Sequence, residues 1–153
     1  MLAGLARVFM AVPQQKLREI VFQLLYSHDF AAVEEEEIIP FLMKELCVAK
    51  SALYLAGEKR RAVEEKQKEI DQRIAGASDA YAFARIPGVE RNILRLGVYE
   101  LFYDPLIPPK VAIAEAIRLA RKFATPQGAT FVNAILDTLY QESEKKDAAP
   151  ALV

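Results

Sequence analysis

Polar and apolar positions repeat at helical spacing along almost the whole chain. From Gln14 onward, Leu17, Ile20, Val21, Leu24 and Leu25 fall at i, i+3, i+4, i+7 and i+8 and form one apolar stripe. Lys16, Glu19, Gln23 and Ser27 occupy the opposite side. Pro13 stands where a first helical turn tolerates its missing N–H, so the spacing predicts a helix over 13–29. A second helix, over 34–46, buries Ile38, Ile39, Leu42, Met43 and Leu46. Pro40 falls inside it, so this helix either begins near Ile39 or bends there. Residues 48–75 read as one long third helix, apolar at first through Ala52, Leu53, Leu55 and Ala56. From Glu58 to Arg73 it is nearly all charge, leaving Ala62, Val63 and Ile70 to bury. Mixed signs at this spacing predict an exposed face laced by i,i+4 ion pairs, with Gly76 as the stop.

Ser78 and Asp79 are placed to cap a short fourth helix carrying Tyr81, Ala82 and Phe83. Pro87 opens a fifth helix that runs to about Asp104, and residues 93–99 are apolar on most sides, as a central buried helix requires. Pro108 and Pro109 open a sixth, with Val111, Ile113, Ala116, Ile117, Ala120 and Phe123. Thr125 caps the seventh and Pro126 starts it; Phe131, Val132, Ile135, Leu136 and Leu139 form its stripe. Beyond residue 142 the chain is polar, and residues 143–153 are expected to be a disordered tail. No segment alternates with period two. The predicted class is therefore all-α, a compact bundle of about seven helices whose short loops make neighbours antiparallel.

Composition narrows what such a bundle can do. At 153 residues and 53% hydrophobic, the chain fits one domain with a core that needs no disulfide or metal staple. Its 20 basic and 21 acidic residues give a net charge of −1, which excludes a general nucleic-acid coat but not a local basic patch. Cys47 is the single cysteine and His28 the single histidine, so no intrachain disulfide can form and a zinc site would have to recruit carboxylates. His28, in Tyr26-Ser27-His28-Asp29, reads as a solvated or capping residue at a helix end, and Cys47 as a small apolar packing residue. Glu34 to Glu37 suit the dipole of a helix start. Neither a catalytic constellation, nor a metal site, nor a cofactor motif emerges. Residues 1–12 are mildly apolar but interrupted by Arg7 and followed by Pro13, too short for a membrane span and wrongly ordered for a signal peptide. They read as an N-terminal extension of a cytoplasmic protein.

Three polar features remain. One is the first turn, Gln14-Gln15-Lys16-Leu17-Arg18, where cations stand beside a helix N-terminus whose free N–H groups attract phosphate. Another is Arg118, Arg121, Lys122 and Phe123 at the end of the sixth helix, where the dipole favours cations whatever their function. The third is Arg85, Arg91 and Arg95 around Pro87. From residue 85 to 122 the chain holds seven basic residues against four acidic, the local asymmetry that a modest RNA-binding face requires.

The stretch Arg85-Ile-Pro-Gly-Val-Glu-Arg-Asn-Ile-Leu-Arg-Leu-Gly-Val-Tyr-Glu-Leu101 resembles the central signature of the NusB family of transcription antitermination factors. So do Ile107-Pro-Pro-Lys-Val-Ala-Ile-Ala-Glu-Ala-Ile-Arg-Leu-Ala-Arg-Lys-Phe123 and Phe131-Val-Asn-Ala-Ile-Leu-Asp137, while Lys16 to Tyr26 is similar to the family's first helix. The likeness runs in order from about residue 13 to 142; residues 34–80 match only in helical character. It implies an all-helical fold of two small subdomains, no enzymatic activity and no cofactor. It also implies binding to boxA-type RNA of ribosomal RNA transcripts, jointly with the ribosomal protein that acts as NusE, within the RNA polymerase antitermination complex. RNA-binding positions carried over by the resemblance are Gln14, Gln15, Lys16 and Arg18, with Lys122, Phe123 and Gln127 at the turn after the sixth helix. Glutamines 14 and 15 replace arginines usual in the family, which implies fewer phosphate contacts and a shallower salt dependence. Ala114 and Ala134 also depart from the family's Asn and Gly, conservatively for a helix. Tyr26, Tyr81 and Glu90 are the implied partner-binding positions. Some members dimerise, and the apolar first twelve residues are suited to cover such a surface. Two alternatives stay open: the RNA-binding part of a ribosomal-RNA cytosine methyltransferase, for which residues 1–153 hold no methyl-donor domain or catalytic cysteine motif, and a helical interaction module whose RNA face has decayed.

Overall fold

Every regular element among the described residues is helical. The computed structural model describes residues 12–31, 35–78 and 82–148. In them lie α1 (Gln14–Ala31), α2 (Glu35–Leu46), α3 (Lys50–Glu65), α4 (Gln67–Ala77), a 3-10 turn (Phe83–Arg85), α5 (Gly88–Phe102), α6 (Pro109–Phe123) and α7 (Pro126–Ala148). They sort into two compact units, the first ending at Glu65 and the second beginning at Lys66, so the two-subdomain expectation holds.

In the first unit α1 and α2 both pack on α3. Ile20, Val21, Leu24 and Leu25 are buried along the predicted stripe of α1, as are Leu53, Ala56 and Val63 of α3. Pro40 sits within α2 rather than at its start. The i−4 carbonyl that it cannot bond belongs to Glu36, in the exposed first turn, where it is open to solvent. Cys47 departs from the sequence reading. It is exposed, and its φ of 53° closes α2 in the left-handed conformation usually given to Gly or Asn, so it caps rather than packs. His28 is exposed as expected, and its Nδ1 lies 2.7 Å from Glu64 Oε1, joining α1 to α3. Arg60 reaches the same carboxylate from one turn away, one of the i,i+4 pairs that the charge pattern predicts.

The long predicted third helix is two helices, broken at Lys66. Val63 and Ile70 are fully buried, but the six residues between them are all polar, so no apolar contact spans the break. Two further boundaries shift. Gly76 lies inside α4, and Ser78 ends that helix instead of starting another: its Oγ donates to the Ala75 carbonyl at 3.3 Å. Where a short fourth helix was expected, the described residues show only the 3-10 turn; Asp79 and Tyr81 lie outside them. At the other end α7 continues to Ala148, so residues 143–148 are helical and not a disordered tail. Residues 1–11 and 149–153 lie outside the described residues.

In the second unit α5 is the central helix, packed against α4, α6 and α7. Gly97 makes its crossing possible. A Cβ there would stand 3.1 Å from Leu136 Cδ1 and 3.3 Å from Ala116 Cβ, so a side chain would push α6 and α7 away. The same helix holds a buried polar network. Arg95 Nε and Nη2 donate to the two carboxylate oxygens of Asp71 on α4 at 2.9 and 3.0 Å. Its Nη1 donates to Asn92 Oδ1 at 3.2 Å, and Asn92 Nδ2 donates to the Gly88 carbonyl at 2.8 Å. Arg91 donates to the Ile86 carbonyl at 3.1 Å, and both guanidinium groups lie within about 6 Å of the Phe83 ring, fixing the 3-10 turn on α5.

Removing Asp71, itself half-buried, strands the buried charge of Arg95. Asp71→Ala is expected to cost about 3 kcal/mol in urea denaturation, whereas Asp71→Leu combined with Arg95→Met recovers most of the loss. Equal losses in the single and double variants would show that the pair does not tie α4 to α5.

Candidate nucleic-acid interface

Four cations of the sequence-predicted set turn out to be committed inside the units or to ion pairs. Arg18 is 5% exposed and is not presented to solvent. The signal was present in the sequence: residues 18, 21, 22 and 25 share one helical face, and all four are buried. Arg91 and Arg95 hold the 3-10 turn and α4 as described, and Arg118 Nε is paired with Glu115. Basic surplus in the sequence is therefore larger than basic surplus on the surface.

The remaining candidates stand at two helix ends. At the start of α1, Gln14 and Gln15 are exposed; Lys16 is partly exposed, 3.9 Å from Glu19 in a long i,i+3 pair. In this turn the Leu17 N–H donates to the Pro13 carbonyl at 3.0 Å.

In the second unit, Lys122, Phe123 and Gln127 flank the turn from α6 to α7. Lys122 and Gln127 are exposed and Phe123 is half-buried; Lys122 Nζ lies 5.6 Å from the Phe123 ring centre, a cation held over an aromatic face. Thr125 shapes the turn as predicted, its Oγ1 accepting from Gly128 N–H at 3.0 Å. Beside this turn a cleft of about 660 Å³ is lined by Arg85, Pro87, Glu90, Gln127 and Phe131. Arg85 is exposed at this cleft, whereas Arg91 is half-buried and Arg95 buried.

Glu90 is 7% exposed and lies against α7. A Cβ on Gly128 would stand 2.8 Å from Glu90 Oε1, so glycine at 128 is what lets the carboxylate sit there. Tyr26, in the first unit, is half-buried on α1 between Phe22 and Phe30, with ring centres 6.1 and 6.0 Å away. Phe30 is 81% exposed, an apolar continuation of Tyr26 that the sequence reading did not single out. Tyr81 lies outside the described residues. Among the described residues no group of three or more His, Cys, Asp or Glu side chains is placed to hold a metal ion, and no helix is long and apolar enough to cross a membrane. What the arrangement offers chemically is cations beside aromatic and amide side chains at helix ends, a set suited to phosphate and base rather than to bond-breaking.

The fold defines a class shared with solved bacterial antitermination factors. The Thermotoga maritima NusB structure aligns with a TM-score of 0.73 at 33% identity, covering 89% of this chain and 98% of that one. A chain of a crystal structure of antitermination factors NusB and NusE in complex with dsRNA aligns with a TM-score of 0.72 at 27% identity, covering 84% and 96%. Residues 15–141 match the NusB family, and the chain belongs to it. The transcription antitermination protein NusB of Chlamydia pneumoniae is 38% identical over 131 residues, 86% of this chain and 82% of that protein. That of Geobacter sulfurreducens is 38% identical over 123 residues, 80% of this chain and 89% of its own length.

Buried and exposed cations separate in a stability measurement. Arg18→Ala is expected to lower the unfolding free energy by at least about 1.5 kcal/mol, through lost polar partners and packing. Lys16→Ala and Lys122→Ala are expected to stay within about 0.5 kcal/mol of the unsubstituted chain. An Arg18→Ala variant of unchanged stability would return Arg18 to the exposed set.

Proposed function

We propose that this protein is a non-enzymatic transcription antitermination factor of the cytoplasm. It binds boxA-type RNA of ribosomal RNA transcripts together with the ribosomal protein acting as NusE, within the RNA polymerase antitermination complex. The observation that carries the reading is the family match along residues 15–141, in which the central signature around α5 is also the structural centre of the second unit. A relative of the same fold has been crystallised with NusE and dsRNA, which supports both partner classes.

The proposed RNA contacts are Gln14, Gln15 and Lys16 in the first unit and Lys122, Phe123 and Gln127 in the second, with Arg18 supporting its helix from within. Gln14 and Gln15 donate hydrogen bonds to phosphate but bring no charge, so each contact releases fewer counterions than an arginine would. Phe123 offers a stacking face for an unpaired base. Glu90 and Tyr26 are the proposed partner contacts. With so few cations, affinity depends on the partner's own contacts, and specificity on the joint surface.

Fluorescence anisotropy with boxA and scrambled RNA, each with and without the ribosomal protein, tests this. The expected outcome is weak binding alone and, with the partner, tighter binding that favours boxA. No discrimination in either condition would overturn the function. Partner binding without any RNA affinity would instead identify a decayed RNA face.

A further inference from the structure

A second groove opens on the other side of the α6–α7 turn. Ile117 and Arg121 of α6 face Pro126, Ala129, Thr130 and Asn133 of α7 across a space of about 540 Å³, within the range of about 300–1,000 Å³ typical of small-ligand sites. The α7 residues fall at i, i+3, i+4 and i+7, so they form one continuous helix face. It carries an amide and a hydroxyl, and both are exposed.

The polar groups of the groove are differently employed. Thr130 Oγ1 donates to the Pro126 carbonyl at 3.1 Å, which leaves its lone pairs as acceptors toward the groove. Among the described residues neither the Arg121 nor the Asn133 side chain makes a hydrogen bond or ion pair. Asn133 therefore retains an unspent donor and acceptor side by side, and Arg121 its whole guanidinium fork. Ile117, Ala129 and Pro126 supply flat apolar walls. Arg121 adjoins Lys122 in sequence, so the groove continues the proposed RNA strip around the end of α6.

A paired donor and acceptor between apolar walls, next to an unpaired cation, matches one unstacked nucleotide. An amide can contact a base edge through two hydrogen bonds at once, whereas a phosphate offers only acceptors. Arg121, in line with Lys122, suits the phosphate. We infer that this groove holds a single extruded nucleotide of the bound RNA, Asn133 reading its base edge and Arg121 anchoring its phosphate. The inference rests on the RNA-binding function proposed above and adds to it the residue that selects a base.

The test measures binding of the complex with the ribosomal protein to boxA and to a set of RNAs bearing one base substitution each. Both side chains are exposed, so Asn133→Ala and Arg121→Ala are expected to melt at the temperature of the unsubstituted chain. Asn133→Ala should lose roughly tenfold in affinity for boxA and respond no further to substitution at one position, with the other positions ranked as before. Arg121→Ala should weaken every RNA of the set by a similar factor and lower the salt slope by about 0.7. If the unsubstituted chain prefers boxA and Asn133→Ala matches it at every position, the groove assignment alone is overturned. If the unsubstituted chain shows no preference for boxA, the function itself falls and the groove assignment with it.

Discussion

The bidentate pair between Arg95 and Asp71 decides how the second unit is built and what its surface has left to offer. Two parallel hydrogen bonds of 2.9 and 3.0 Å hold α4 against α5, and the remaining guanidinium nitrogen orders Asn92 and, through it, the first turn of α5. A charge buried to this degree is tolerable only because its donors are matched. Arg91 does the same for the turn before α5. Two of the three arginines around Pro87 are thus spent on structure, which leaves Arg85 and the helix ends to supply cations for binding.

Close approach sets the second constraint. Gly97 lets α5 lie against Ala116 and Leu136, and Gly128 lets the Glu90 carboxylate lie against the start of α7. Between them these two positions fix α5, α6 and α7 closely enough for the α6–α7 turn to present defined side chains on both sides: Gln127 and Phe131 toward one cleft, Arg121 and Asn133 toward the other. Binding groups placed on packed helix ends need little ordering when a ligand arrives, which matters where few charges are available to offset that cost.

Helical periodicity made most of the fold legible. The stripes of α1, α5 and α7 are largely buried as the spacing requires, and Thr125 caps α7 as its position indicates, whereas α6 buries Ala112, Ala116, Leu119 and Ala120 and leaves Val111 of its predicted stripe exposed. Periodicity failed where tertiary context overrides it. The run from Glu64 to Glu69 has good helix formers throughout yet breaks at Lys66, for want of an apolar residue to anchor it. Cys47 reads as a buried hydrophobe by residue type but occupies a left-handed cap, which backbone geometry alone reveals. For the site, residue identity showed that Gln14 and Gln15 bring no charge to the first turn. Arg18 was separable only by noticing that it shares the face of Val21, Phe22 and Leu25. Asn133 and Arg121 are far apart in sequence and of common type; only the packing of α6 on α7 brings them to one groove.

A net charge of −1 therefore coexists with nucleic-acid binding because acids and cations cancel inside the units and along α3 and α4, leaving a small positive remainder at helix ends. The most direct measure of that remainder is the salt dependence of RNA binding, since each phosphate contact on a single strand contributes a slope of about −0.7. With Lys16, Arg121 and Lys122 as the contacting cations, log K against log salt for boxA binding by this chain alone is expected to fall with a slope of about −2. A slope near zero, or one steeper than about −4, would contradict a small patch as the basis of recognition.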